Sequence, residues 1–267
     1  MADVQTPGEV FGLGDGWSLQ TDLPNDRGDG VHVVKAPELM QFSSSGFSLQ
    51  QIDGSSTSQT ALCFRTSVGG ATTEHSHYPR TELRELPANG GWSITDSIAH
   101  DFEALLAVQR LPEGKPAVVV VQIHGEGTCK CEILKLRARR YGSNAPNSFT
   151  LEARVKGDAA GGELSEVGLP LGEHTLGTPV RVHARVKGGV LSVRVGQERV
   201  THDYRYGKFL EWDSQGLGNQ YYWKLGSYCQ CSLDEAATPD EFAEVTFWGW
   251  SLAHGEQRQE HYVQEPE

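Results

Sequence analysis

Short runs of alternating or β-branched apolar residues recur along the whole chain. Each run covers only a few residues, and segments rich in Gly, Pro or Asn separate it from the next, as is typical of β-strands joined by turns. The runs predicted as strands are 31–34, 61–65, 102–109, 117–124, 132–139, 148–155, 180–186, 190–195 and 244–252. Two glycines at 188–189 predict a tight hairpin between the two strands that flank them.

Helical periodicity is almost absent from the sequence. The best candidate is a short helix at 239–243, with Thr238 as its N-cap and Pro239 as its first residue. Segments 158–171 and 207–219 are predicted as long loops. The pattern predicts an all-β fold, an antiparallel two-sheet sandwich of the jelly-roll type. Repeats, low-complexity tracts and shifts in composition are lacking, so we expect one domain over 1–267, with 1–25 as an extended N-terminal segment.

Composition narrows the classes of function. The chain has 267 residues and a formal net charge of −12, which disfavours nucleic acid as a partner. An anionic ligand would therefore need a local cluster of basic side chains. No run approaches the roughly 18–20 apolar residues of a membrane span. Residues 1–16 lack the features of a signal peptide, so the chain is cytoplasmic unless a signal for secretion or periplasmic export was removed. We expect a monomer.

Five cysteines are present, and four of them form two Cys-x-Cys pairs: Cys63, Cys129, Cys131, Cys229 and Cys231. The spacing is shorter than the usual zinc-knuckle spacing, so zinc is disfavoured. Residues two apart on a strand lie at the edge of disulfide reach, which disfavours a bridge within a pair. A bridge between the two pairs stays open. We expect buried or bridged structural cysteines.

The first chemical motif covers residues 78–85, with the sequence YPRTELRE. On a strand, the period of two places Arg80, Glu82 and Arg84 on one face. Two guanidinium groups flanking a carboxylate suit a carboxylate ligand. A surface ladder of salt bridges is the alternative.

The second motif covers residues 118–124, with the sequence VVVVQIH. The four valines predict a central strand, which then places Gln122 and His124 on one face and Ile123 on the other. A buried glutamine needs a hydrogen-bond partner. A core histidine with all its hydrogen bonds made is the alternative to a functional one.

The third motif covers residues 221–230, with the sequence YYWKLGSYCQ. Alternation places Tyr222, Lys224, Gly226, Tyr228 and Gln230 on one face, and the residues between them on the other. The glycine leaves room for another group to approach the backbone. A plain polar outer face is the alternative.

Together the three motifs resemble, in order, those of alginate lyases of polysaccharide lyase family seven. The segments that carry the resemblance are RTELR at 80–84, QIH at 122–124 and YWKLGSYCQ at 222–230, and VTFWGWSLAH at 245–254 resembles the closing strand of that family. Two features depart from the pattern. Trp223 stands where the family usually has Phe, and Cys229 and Cys231 flank Gln230.

The resemblance implies a concave sheet that carries all three motifs, and β-elimination across C4–C5 of a uronate. It implies that Arg80 and Gln122 neutralise the uronate carboxylate. Tyr228 would then be the acid, and for mannuronate also the base, whereas His124 would be the base for guluronate. Further substrate contacts would come from Arg84, Lys224, Gln230, Glu82 and Tyr222. Side chains would carry all the proton transfers, so neither a metal nor an organic cofactor is expected.

Residue 123 bears on the choice of substrate. Within the family, Ile at this position is associated with accepting guluronate, so guluronate-containing blocks of alginate are the expected substrate. A lyase for another polyuronate such as glucuronan, a non-catalytic carbohydrate-binding module and a lectin stay open. A glycoside hydrolase is disfavoured because the acidic run at 234–241 lacks the carboxylate spacing that hydrolysis needs. The pair His75 and His77 has no third metal ligand in view.

Overall fold

The computed structural model describes residues 5–53, 58–74, 76–88, 90–126, 132–141, 146–158, 164–205 and 220–262. Within these ranges, helix is limited to α1 (Pro7–Phe11) and the 3-10 turns Gly14–Gly16 and Glu38–Met40. The strands are β1 (Trp17–Pro24), β2 (Val31–Lys35), β3 (Phe47–Asp53), β4 (Ser58–Ser67), β5 (Arg80–Glu85), β6 (His100–Arg110), β7 (Ala117–Glu126), β8 (Glu132–Arg139), β9 (Ser148–Asp158), β10 (Leu164–Thr175), β11 (Val180–Lys187), β12 (Val190–Val195), β13 (Glu198–Asp203), β14 (Gln220–Cys229), β15 (Phe242–His254) and β16 (Gln257–Tyr262).

The strands form two antiparallel sheets. The front sheet has the order β10-β9-β8-β7-β14-β5-β1-β2, and the back sheet has the order β13-β12-β11-β6-β15-β4-β3, with β16 paired to β15. Consecutive strands often pair, as β7, β8, β9 and β10 do, but the pairings that hold β5, β6 and β14 in their sheets join segments distant along the chain. This architecture confirms the predicted all-β jelly-roll sandwich and all nine predicted strands.

Aromatic side chains join the two sheets. Trp223 of β14 stacks on Phe102 of β6, with ring centroids 5.4 Å apart. Trp250 of β15 stacks on Phe11 of α1 at 5.4 Å and meets Trp17 of β1 edge-on. All five residues are buried. Burying a large apolar side chain contributes roughly 1.5–3 kcal/mol, so these contacts hold the front sheet, which carries the site, against the back sheet.

The predicted hairpin at 188–189 is confirmed. Lys187 pairs with Val190, and Gly188 and Gly189 take φ values of 55° and 82°. Two successive positive φ values match the twist of the flanking strands in a two-residue turn, and glycine adopts them at little steric cost.

The prediction of an extended N-terminal segment does not match the structure. Thr6 and Glu9 form a capping box for α1, Pro7 occupies the first turn, and Gly12 ends the helix in the left-handed conformation. Beyond it, β1 pairs with both β2 and β5. This segment therefore completes the sheet that carries the motifs.

The short helix predicted at 239–243 was wrong. The N–H groups of Ala237 and Thr238 donate to the Glu241 carboxylate, at 2.8 and 3.0 Å, and Phe242 already begins β15. Phe242 pairs with Ser67 of β4, so the strand takes up the residues that a helix would need beyond Glu241.

The prediction of a loop at 158–171 was also wrong for residues 164–171, the part of this segment that lies in β10. Residues 164–171 belong to β10, which pairs with β9 at the edge of the front sheet. Its outward positions are polar, as edge strands often are. The loop predicted at 207–219 and His75 lie outside the described residues.

The described cysteines Cys63, Cys229 and Cys231 are buried free thiols, and Cys129 and Cys131 lie outside the described residues. Burial raises the pKa of Cys63 and of Cys229 to about 12, so both stay protonated at neutral pH. In the described ranges no three His, Cys, Asp or Glu side chains are grouped to hold a metal ion. The described helices are too short and too polar to cross a membrane.

Candidate active site

Three neighbouring strands of the front sheet carry the three motifs. Strand β14 lies between β5 and β7, so each polar residue on β14 has a partner on one or both sides. Lys224 stands opposite Arg84 of β5 and Gln122 of β7, while Tyr222 stands opposite His124. Farther along β14, Tyr228 stands opposite Arg80.

These residues define one surface, which we call the site face. It carries Arg80, Glu82, Arg84, Gln122, His124, Tyr222, Lys224 and Tyr228. The intervening residues Leu83, Ile123, Trp223 and Leu225 are fully buried in the core between the sheets. The alternation along each strand was predicted from the sequence, and the pairing of the strands brings the three faces together.

Gln230 lies just beyond the end of β14. Its backbone N–H donates to Ala117 O at 3.0 Å, and its side-chain Nε2 lies 3.5 Å from Tyr228 O. Its described contacts therefore leave it at the rim of the site face.

Gly226 allows β14 to approach β5 closely. A Cβ atom at this position would lie 2.4 Å from Thr81 O and 2.9 Å from Glu82 Cα, and φ is 143°. The register between β14 and β7 also shifts by one residue between Leu225 and Tyr228. The sequence predicted that another group approaches the backbone at Gly226, and that group is the neighbouring strand β5.

Glu82 is the charged centre of the site face and is fully buried. Its Oε2 lies 2.6 Å from Lys224 Nζ and 3.3 Å from Arg80 Nη1, and its Oε1 accepts a hydrogen bond from Gln122 Nε2. Burial by itself would raise the pKa of Glu82, but the charges of Lys224 and Arg80 outweigh it and hold the pKa below its usual value. Glu82 is therefore an anion that fixes three other side chains.

Lys224 is almost completely buried beside that anion. Burial lowers its pKa to about 8, against the opposing effect of the Glu82 charge. Lys224 is thus a cation at neutral pH, held without the shell of water that an exposed lysine keeps.

Arg80 connects Glu82 to Tyr228. Its guanidinium carbon lies 3.7 Å from the centroid of the Tyr228 ring, and its Nη2 donates to Ser76 Oγ at 2.9 Å. Ser76 Oγ in turn lies 3.3 Å from the Tyr228 hydroxyl. The Nε atoms of Arg80 and Arg84 are buried without a hydrogen-bond partner among the described residues. Both Nε atoms are covered by protein, so a ligand would meet the two guanidinium groups at their outer nitrogens.

The contacts of His124 define its tautomer. Nδ1 lies 2.8 Å from Gly125 O, and a carbonyl oxygen can only accept, so Nδ1 carries the proton. The Tyr222 hydroxyl lies 3.1 Å from the same nitrogen, and the two rings stack. Burial and the nearby Lys224 charge lower the pKa of His124 to about 4. His124 is therefore neutral at physiological pH, with the lone pair on Nε2.

Tyr222 and Arg84 extend the site face beyond His124. The guanidinium carbon of Arg84 lies 4.1 Å from the centroid of the Tyr222 ring, and its Nη2 donates to Glu126 Oε2 at 2.7 Å. Burial raises the pKa of Tyr222 to about 12. Tyr222 therefore remains a neutral phenol and acts as a packing surface for the arginine.

Two partners of the site were missed by sequence reasoning. Ser76 precedes β5 in a turn, and Glu126 ends β7 beyond the predicted strand. Neither residue lies within one of the alternating patterns of apolar and polar residues that predicted the strands. In the sequence Ser76 lies between His75 and His77, the pair considered as metal ligands. His77 is exposed.

Comparisons with known proteins show which family and fold this chain shares. The family model described as alginate lyase matches residues 12–254. A curated alginate lyase from Klebsiella pneumoniae is 24% identical over 302 residues, covering 96% of this chain and 94% of its own length.

Solved structures show the same fold. The crystal structure of the alginate lyase from Klebsiella pneumoniae has a TM-score of 0.75 and 20% identity, with 95% of this chain and 100% of that chain covered. A variant of alginate lyase A1-II′, a family 7 lyase solved with a product written GGG, has a TM-score of 0.71 and 23% identity, with 94% and 100% covered.

Proposed function

The chain belongs to the alginate lyase family, and on that premise we propose that the site face is where it cleaves alginate by β-elimination. The observation that carries this proposal is the register of β14 between β5 and β7, in which Arg80, Gln122, His124 and Tyr228 surround the buried pair of Lys224 and Glu82. No other described surface was found to combine a neutral histidine, a tyrosine and buried cations.

The first requirement of the reaction is to neutralise the uronate carboxylate. Removing the C5 proton places further negative charge beside that carboxylate, so preorganised donors stabilise the intermediate. Arg80 is held by Glu82 with its side chain 11% exposed, and Gln122 is oriented by its bond to Glu82. Lys224 adds a second buried positive charge. In this proposal Glu82 orients the donors and does not react.

The second requirement is a base and an acid. The base takes the C5 proton, the electron pair of that bond forms the C4–C5 double bond, and the C4–O4 bond breaks. Tyr228 then gives its hydroxyl proton to O4. For guluronate the base is His124, whose Nε2 lone pair is available because Nδ1 is protonated. For mannuronate Tyr228 enters the step deprotonated, takes the C5 proton itself, and the proton that it gives to O4 is that same proton.

Arg84, Tyr222 and Gln230 extend the contacts along the polymer in this proposal. The Arg84 side chain is 32% exposed, and its guanidinium suits the carboxylate of a neighbouring uronate. Guluronate-containing blocks are the proposed substrate. Support comes from Ile123, from the base tautomer of His124, and from the GGG product that a family 7 lyase of the same fold holds.

The test is to incubate the protein with alginate, with purified guluronate and mannuronate blocks, and with glucuronan. Elimination is followed by the ultraviolet absorbance of the new double bond. We expect absorbance to rise fastest with guluronate-containing substrates. New reducing ends without absorbance would indicate hydrolysis, and binding without either would indicate a lectin.

Tyr228→Phe tests the site itself. Loss of a positioned acid should lower turnover by roughly 10²–10⁴-fold, while binding of alginate is retained. Tyr141→Phe is the matched control because Tyr141 is 59% exposed and remote in sequence from the motifs. Near-normal turnover of Tyr228→Phe would exclude the role proposed for this tyrosine.

A further inference from the structure

Ser76 lies at a junction of three groups next to the site face. Its Oγ accepts from Arg80 Nη2 at 2.9 Å and donates to Tyr78 O at 2.9 Å, and it lies 3.3 Å from the Tyr228 hydroxyl. Ser76 is half-buried in the turn before β5. No family motif or pattern of the sequence pointed to this residue.

The protons at this junction can be assigned by elimination. A serine hydroxyl has one proton to donate. The Tyr78 carbonyl can only accept, so it takes the proton of Ser76, and the Arg80 guanidinium can only donate. While the serine proton lies on Tyr78 O, Ser76 Oγ can only accept from the Tyr228 hydroxyl, so in this arrangement Tyr228 is the donor.

The same junction offers a second arrangement. When Tyr228 gives its proton to the leaving O4, its oxygen becomes an anion with no proton to donate. Rotation of the Ser76 hydroxyl then directs the serine proton from Tyr78 O to the Tyr228 oxygen. Arg80 continues to donate to Ser76 Oγ, which strengthens the serine as a donor. Ser76 keeps its proton throughout, so atoms and charges balance without another reactant.

We propose that Ser76 is a positioning residue that orients the phenol of Tyr228 before proton transfer and donates a hydrogen bond to the phenolate after it. This inference rests on the proposed function, because it assigns Ser76 a role only through Tyr228. Ser76 itself does not exchange a proton with the substrate.

The test compares Ser76→Ala and Ser76→Thr with the unmodified protein on alginate. For Ser76→Ala we expect kcat to fall about 10-fold, as the loss of a hydrogen bond to a charged group implies, with KM changed less than about two-fold. Ser76→Thr keeps the hydroxyl and should restore kcat, which loss of the turn's bracing alone would not predict.

Ser192→Ala is the matched control. Ser192 Oγ also accepts from an arginine, Arg199 Nε at 3.0 Å, but it lies on β12 of the back sheet. Thermal unfolding of every variant is measured alongside. A fall in kcat that Ser76→Thr does not restore, or that follows a loss of thermal stability, would show that Ser76 merely braces the turn and would overturn the inference, as would unchanged kcat in Ser76→Ala.

The two proposals fail in different ways. If the unmodified protein forms no unsaturated product from any uronan, the proposed function is wrong. If it does, and Tyr228→Phe is inactive while Ser76→Ala is unchanged in kcat, the function stands and the role of Ser76 is wrong.

Discussion

Lys224 Nζ lies 2.6 Å from Glu82 Oε2, and both side chains are buried beneath the site face. The two residues come from different strands, β14 and β5, and Gly226 lets those strands approach closely. A buried ion pair costs free energy of desolvation, which attraction and further hydrogen bonds must offset. Arg80 and Gln122 provide those further bonds to Glu82.

Glu82→Gln should therefore be severely destabilising. It leaves Lys224 and Arg80 as buried cations without their anion, and breaking such a pair costs roughly 3–5 kcal/mol of unfolding free energy. Urea unfolding measures the loss, and kcat/KM on alginate should fall by about 10-fold or more because the donors are no longer oriented.

Glu126→Gln is the control for this experiment. Glu126 pairs with Arg84 at 2.7 Å, but its side chain is 54% exposed. Exposed pairs contribute about 0–1 kcal/mol, so this variant should be close to the unmodified protein in stability. Equal losses in the two variants would argue against a special role for the buried pair.

His124 should make the protein lose stability as the pH falls. Its folded pKa of about 4 lies below the usual value of 6.5, so the unfolded chain binds the proton more readily. The unfolding free energy is therefore full above pH 6.5 and declines as the pH falls from 6.5 toward 4, by roughly 2–3 kcal/mol.

His124→Gln should remove that part of the pH dependence. The measurement is the difference in unfolding free energy between pH 6.5 and 4.5 for each protein, and His77→Gln is the control because His77 is exposed. If His124→Gln kept the full decline, other groups would have to account for it. The same variant should lose activity on guluronate blocks more than on mannuronate blocks.

Gly226→Ala should disrupt the contact of β14 with β5. The added Cβ would meet Thr81 O at 2.4 Å in a backbone conformation with φ of 143°. We expect a loss of about 3 kcal/mol or more, from steric overlap together with strain. Thermal unfolding of the variant measures this loss.

Gly196→Ala separates strain from overlap. Gly196 has φ of 56°, and its Cβ would meet nothing within 4 Å. Only the cost of a left-handed conformation applies there, about 1–2 kcal/mol. A Gly226→Ala loss no larger than that of Gly196→Ala would mean that the strands separate easily.

Part of this site could be read from the chain alone. The two-residue period of a strand is a local property, so Arg80, Glu82 and Arg84 were assigned to one face, as were Gln122 and His124. Several strands that were missed, such as Gln257–Tyr262, are rich in polar residues and lie at edges, where one face needs no apolar side chains. Trp17–Pro24 was also missed, although it pairs on both sides. The helix predicted at 239–243 failed because Phe242 already pairs in β15.

The sequence by itself determined the alternation of apolar and polar faces, the tight turn at Gly188 and Gly189, and the motifs that identify the family, because each depends on neighbouring residues. Only the tertiary structure decided that β14 lies between β5 and β7, that Lys224 is buried on Glu82, and that Ser76 meets Tyr228. These contacts join segments distant along the chain. Which strands pair is set by the packing of the whole sandwich, and no local period encodes it.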